Sequence, residues 1–165
     1  VSGGGIWNGG VLTMDGSSSV TANVALSCGN SCGRGGGIDN FIGSTLTMND
    51  ASIVSGNTSR QAGGIWNGAD LTLNGSSSVA GNSATGKGGG VVNENLTTIT
   101  MNDSSTVTGN TADADDSGRG AGGGIVDRCH VTLNNVIAGG NVNDNYRGTA
   151  HPMEDNISHQ NPCAG

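Results

Sequence analysis

Aromatic residues are nearly missing from this sequence: 165 residues include one Phe, one Tyr and two Trp. A compact globule of that length ordinarily buries a large aromatic and aliphatic core, and such a core is excluded here. Basic residues are equally scarce. Six Lys and Arg stand against 13 Asp and Glu, a formal net charge of -7. That balance excludes the clustered cations that hold nucleic-acid phosphates or anionic membrane surfaces. No apolar run approaches the length of a transmembrane helix, and no basic-then-apolar leader stands at the amino end. No stretch has helical spacing either.

What is present is glycine, 32 residues of it, with many Ser, Thr and Asn. Such a composition signals disorder unless it recurs at a fixed period, and here it does. The phrase is a Gly cluster, Ile or Val, any residue, Asn, a short loop, apolar-Thr-apolar, a polar turn, then Val-x-x-Asn. The first copy runs from Gly3-Gly4-Gly5-Ile6-Trp7-Asn8 through Leu12-Thr13-Met14 to Val20 and Asn23. Later copies start at Ile38, Ile65, Val91 and Ile125, at steps of 32, 27, 26 and 34 residues. A period of that size marks a solenoid with variable loops. Short alternating segments are strands with one face inward, and Gly and Asn supply the corners.

The expected fold is an all-β, right-handed parallel β-helix of about five coils over residues 1–141, each with three short strands and three turns. Residues 142–165 break the repeat and form a polar tail, read as a cap or an inter-subunit arm. Stacking in register places Ile6, Ile38, Ile65, Val91 and Ile125 in one inward ladder, and Leu12, Leu46, Leu71, Ile99 and Val131 in another. Met14, Met48, Leu73, Met101 and Leu133 lie beside the second. Two Asn ladders are expected, one through Asn8, Asn40, Asn67 and Asn93 and one through Asn23, Asn57, Asn82, Asn110 and Asn141. Asn tolerates left-handed backbone, and stacked amides can bond from coil to coil.

The Gly-Gly-Gly-Ile-x-Asn phrase, followed by Leu-Thr-Met and Val-x-Gly-Asn, resembles the right-handed β-helix repeat of bacterial surface and secreted proteins, and is similar to polymorphic outer-membrane-protein repeats. The resemblance covers roughly residues 1–141. It implies a fold and an exported setting, and it carries over no catalytic residues.

Other features have weaker readings. Cys28 and Cys32 are close enough for one loop bridge, leaving Cys129 and Cys163 to tie the tail to the last coil. Zinc competes with disulfides for these thiols, but only one CxxxC pair is present and His130, His151 and His159 are scattered. Disulfides imply an oxidising, extracellular or cell-surface location. The chain opens at Val1, inside a Gly-rich phrase that recurs later, which suggests an upstream segment removed from an exported precursor. Asp113, Asp115 and Ser117 match the start of a calcium loop, but the closing position is Gly124 rather than Glu, so a solvated acidic loop competes with a weak calcium site. Sequons offer Asn74, Asn95, Asn102 and Asn156 for glycans. Outward Thr13, Thr47, Thr72, Thr100 and Thr132 form a column of the kind ice-binding surfaces use, or simply a soluble strand face.

Polysaccharide-active enzymes also use β-helices, but they need grouped carboxylates and aromatic platforms. Acids are sparse here, and only Trp7 and Trp66 could serve as platforms. The sequence therefore favours a non-enzymatic extracellular structural protein without a cofactor, stacking head to tail into a fibre or surface assembly. The alternative is an adhesin or binding module of a larger passenger-like protein, followed by ice binding and a polysaccharide-active enzyme.

Overall fold

The computed structural model describes residues 2–25, 33–94, 96–114, 121–128, 130–134, 137–143 and 157–159. Among them there is no helix, and all strands pair in parallel in four sheets. The first sheet stacks Ile6–Asn8, Ile38–Asn40, Ile65–Asn67, Val91–Asn93, Ile125–Asp127 and Ile157–His159. The second stacks Val11–Met14, Thr45–Met48, Asp70–Leu73, Thr98–Met101 and His130–Leu133. The third runs from Ser19–Thr21 through Ile53–Ser55, Ser78–Ala80 and Thr106–Thr108 to Ile137–Gly139. A fourth, of two-residue strands, joins Thr58–Ser59, Ser83–Ala84, Thr111–Ala112 and Val142–Asn143. The chain visits the sheets in that order and returns to the first, making a parallel β-solenoid of about four turns.

Register follows the repeat. Ile6, Ile38, Ile65, Val91 and Ile125 face one another from coil to coil, and so do Leu12, Leu46, Leu71, Ile99 and Val131. With Met14, Met48, Leu73, Met101 and the Val20–Val54–Val79–Val107 row they make one continuous core. Alternation along each strand supplies that core without aromatics, because each apolar residue meets its own copy above and below.

The glycines make the close approach possible. A Cβ on Gly37 would lie 2.8 Å from Val54 Cγ1 and 2.9 Å from Asn57 Nδ2, and one on Gly64 would meet Val79 and Asn82 the same way. The interior between first and third sheets is thus filled by Val, Asn and bare backbone. Gly3, Gly35, Gly88 and Gly122 take positive φ at the head of their Gly clusters, and Ala62 takes it in the equivalent place, at 56°.

Both expected Asn ladders form. In the first, each Nδ2 donates to the next Oδ1, from Asn8 through Asn40 and Asn67 to Asn93 at 2.7 Å, and then to Asp127 at 3.0 Å. In the second, Asn23, Asn57, Asn82, Asn110 and Asn141 are joined at 2.9–3.0 Å, and the backbone N–H of Asn23, Asn57, Asn82 and Asn110 donates to the same oxygen.

The structure departs from the expected coil in three ways. Coils have a fourth, two-residue strand where a plain turn was expected, because Thr58, Ser83 and Thr111 follow the buried Asn directly and bond to its copy in the previous coil. Residues 142–165 are not wholly outside the repeat: Val142–Asn143 joins the fourth sheet, and Ile157–His159 pairs with Ile125–Asp127. A third ladder runs in the opposite sense, Asn134 donating to Asn102, Asn74, Asn49 and finally Asp15 in sequence, at 2.7–2.9 Å. A carboxylate only accepts. Asp127 and Asp15 therefore fix the direction of the ladders they end.

Corner serines contrast with the amides. Ser52, Ser77 and Ser105 are fully buried, and their hydroxyls have no hydrogen-bond partner. Replacing Ser77 by Ala should change stability by no more than about 1 kcal/mol, because no bond is lost. Asn82→Ala removes bonds to Val54 and Asn110 and orphans those from Asn57, and should cost about 3 kcal/mol. Denaturant titration of the two variants measures the difference, and equal effects would mean that the ladder does not hold the coils.

Candidate functional site

On the first sheet the central residue of each Ile-x-Asn strand points away from the core. Trp7, Asp39, Trp66, Val92 and Val126 stand in that outward row. Outward does not mean exposed here. Asp39, Trp66, Val92 and Val126 are all buried, the last three packing with Ala62 and Ala121 in a small second cluster. The cover comes from the row ahead of the Gly clusters, where Ser2, Arg34 and Gln61 are bridged backbone to backbone.

Each Trp lies over a glycine two residues on. A Cβ on Gly9 would be 2.5 Å from Trp7 Cη2, and one on Gly68 2.5 Å from Trp66 Cζ3. Coils without Trp carry Phe41, Glu94 or Arg128 at that place. Trp7 is 56% exposed with its ring centroid 5.5 Å from that of Phe41, whereas Trp66 is covered by the Arg34 guanidinium at 4.2 Å. A cation over an indole face is attracted by the ring quadrupole, and the stacking fixes the plane of the guanidinium.

Beside this pair a groove of about 670 Å³ crosses three coils, between the loops that leave the first sheet. Arg34 and Trp66 line it, Ile42 and Leu96 stand at its edges as exposed apolar side chains, and Asp70 and Glu94 supply carboxylates. Glu94 is held by Arg128 at 2.7 Å. Arg34 forms no ion pair among the described residues, and its Nε and the Trp66 Nε1 are buried donors without acceptors. Asp39 is fully buried, and neither carboxylate oxygen has a partner in hydrogen-bonding geometry. Burial raises its pKa above the ordinary 3.8, an effect partly offset by the Arg34 charge and by the Ser2 hydroxyl, which is near the carboxylate but outside good hydrogen-bonding geometry.

Among the residues singled out from sequence, the ladder asparagines are structural, as their bonds require. Asn74 and Asn102, read as glycan acceptors, belong to the third ladder, where the nitrogen a glycan would occupy donates at 2.9 Å. Asp113 is fully buried at φ 56°, while Asp115 and Ser117 lie outside the described residues. So do Cys28, Cys32, Cys129, Cys163, Asn95 and Asn156. Thr13, Thr47, Thr72, Thr100 and Thr132 form the expected column, but Val11, Thr45, Asp70, Thr98 and His130 beside them are chemically mixed.

Sequence reasoning missed the grouping of Arg34, Asp39 and Trp66. Arg34 is a bridged position in a coil-to-coil row, which nothing in its local sequence marks. The pairing of Trp with Gly two residues later, at Trp7-Asn8-Gly9 and Trp66-Asn67-Gly68, was the available signal.

The Asp39 carboxyl gives a pH test. The unfolded chain ionises it at the ordinary carboxylate value, while the folded chain keeps the proton to higher pH. Native stability therefore falls as pH rises through the window between the two values, and the penalty persists above it. Asp39→Asn should raise the melting temperature by a few degrees at pH 7, and the gain should vanish below about pH 4. Thermal unfolding across pH tests this; a gain independent of pH, or a loss at pH 7, would contradict the burial account.

No family model, curated protein or solved structure matches the chain, so the resemblance to bacterial surface repeats rests on the repeat phrase itself.

Proposed function

We propose that this chain is a non-enzymatic, extracellular β-helix module of the bacterial surface type that acts by binding along its flank. The observation that carries the reading is the groove across three coils, lined by the stacked Arg34 and Trp66 and edged by exposed Ile42 and Leu96. A concave site with apolar walls and a few oriented polar groups is the usual form of a ligand site. The stacked repeat makes it rigid, since all three coils that contribute to it are tied together by the Asn ladders. An exported setting agrees with the repeat's resemblance and with the four cysteines read as disulfides.

A second reading is head-to-tail stacking into a fibre, for which the exposed apolar side chains of Trp7, Val11 and Val24 offer a contact surface. Ladder chemistry weighs against it. A preceding copy would set the Asn134 carbonyl oxygen, which no Asn amide would reach, against the Asp15 carboxylate.

Thermal-shift screening against saccharides and other surface-derived compounds tests the binding reading. At least one compound should raise the melting temperature saturably, and Leu96→Asp with Ile42→Asp should abolish the shift; binding indifferent to both substitutions would overturn it. The stacking reading expects fibres by negative-stain microscopy and concentration-dependent sedimentation, both strengthened in Asp15→Asn. A monomer at all concentrations, in native and variant chains, would remove it.

A further inference from the structure

We infer that the groove receives an acidic sugar residue, a hydroxylated ring carrying one carboxylate, and that Arg34 is the group that recognises the carboxylate. The inference rests on the binding reading above and names its ligand class.

Arg34 differs from Arg128, the other arginine beside the groove. Arg128 holds Glu94, but Arg34, half-buried in the groove wall, has no carboxylate in ion-pair contact among the described residues. Its plane is set by the Trp66 ring at 4.2 Å, and its Nε is enclosed without an acceptor. What the fork can offer an occupant is its pair of terminal nitrogens, already oriented. A planar guanidinium held that way matches the two oxygens of a carboxylate, and the orienting step costs nothing further on binding. The neighbouring Asp39 feels the Arg34 charge but does not take this role, because it is fully buried and makes neither an ion pair nor a hydrogen bond to the guanidinium.

The rest of the groove limits what carries that carboxylate. Asp70 and Glu94 line it, and the whole chain is at -7. A ligand with several charges, such as a sulfated or phosphorylated polymer, meets repulsion on the same walls. Hydroxyl groups fit those walls well: they donate to Asp70 and Glu94 and share hydrogen bonds with Thr45. The exposed Ile42 and Leu96 side chains supply apolar contact for the C–H face of a ring. One anionic group on a neutral, hydroxyl-rich ring satisfies both sets of residues. A neutral sugar leaves Arg34 unmet.

The test is isothermal titration of the whole chain with oligosaccharides of galacturonate and of glucuronate, with the matching neutral oligomers and with sulfated ones. Acidic-sugar oligomers should bind at least tenfold more tightly than neutral ones. Methyl esterification of the sugar carboxylates should remove the preference in the native chain. Arg34→Gln should do the same, and Arg34→Lys, which keeps the charge and loses the planar fork, should weaken it several-fold, with circular dichroism and melting temperature showing that the variants fold. If Arg34→Gln does not fold, the ester comparison decides alone. Equal binding of neutral and acidic oligomers, tighter binding of sulfated ones, or a preference that survives esterification would overturn the inference while leaving a binding groove. Absence of saccharide binding also overturns it, and the binding reading itself falls only when the wider compound screen fails as well.

Discussion

The side-chain amides of Asn57, Asn82 and Asn110 each join three coils at once. Asn82 donates back to the Val54 carbonyl and forward to Asn110, while its own oxygen accepts from the backbone and side chain of Asn57. These groups are completely buried, where an unmet amide would be costly. Coil spacing, corner geometry and the inward direction of the next strand are all set by satisfying them. The glycines follow from the same constraint: a side chain on Gly37 or Gly64 would occupy the space of the amide and of the valine beside it. The thin aliphatic core is sufficient because the polar ladders running beside it are satisfied along their length, so the interior does not depend on aromatic bulk.

Ladder direction gives the solenoid a polarity beyond that of its chain. The first ladder donates toward Asp127 and the third toward Asp15. An acid at the accepting end brings no donor that needs a further partner, which matters at Asp127 because it is buried, whereas Asp15 is open to solvent. Asp15 also bears on assembly, since a carboxylate facing a carbonyl oxygen resists another coil. Binding on the flank does not meet that obstacle, and it uses the part of the molecule where loops are long enough to form walls.

Much of this was legible in the sequence. Period, strand faces, the inward apolar rows and two of three Asn ladders follow from spacing alone, because parallel stacking in register makes like residues neighbours. The third ladder was hidden because Asn74 and Asn102 sit in turn-like Asn-Gly-Ser and Asn-Asp-Ser phrases that also read as sequons, and a surface turn gives no sign that its amide bonds to the next coil. Two-residue strands such as Thr58–Ser59 are too short to show alternation. Asp39 was illegible for a different reason. Strand alternation puts it outside, and only the Arg34 row folded across the sheet makes outside buried. Site geometry depends on which loops rise over that row, and their lengths vary from coil to coil without a pattern that local propensity could read.

Side-chain and backbone amide hydrogen exchange, followed by NMR at the Asn residues, tests most directly whether these ladders hold the molecule together. Nδ2 and backbone protons of Asn57, Asn82 and Asn110 should exchange only with global unfolding, far more slowly than those of Asn49 and Asn134 on the surface ladder. Fast exchange at Asn82 in a folded chain would contradict the account, because the coils would then be joined by something other than the buried amides.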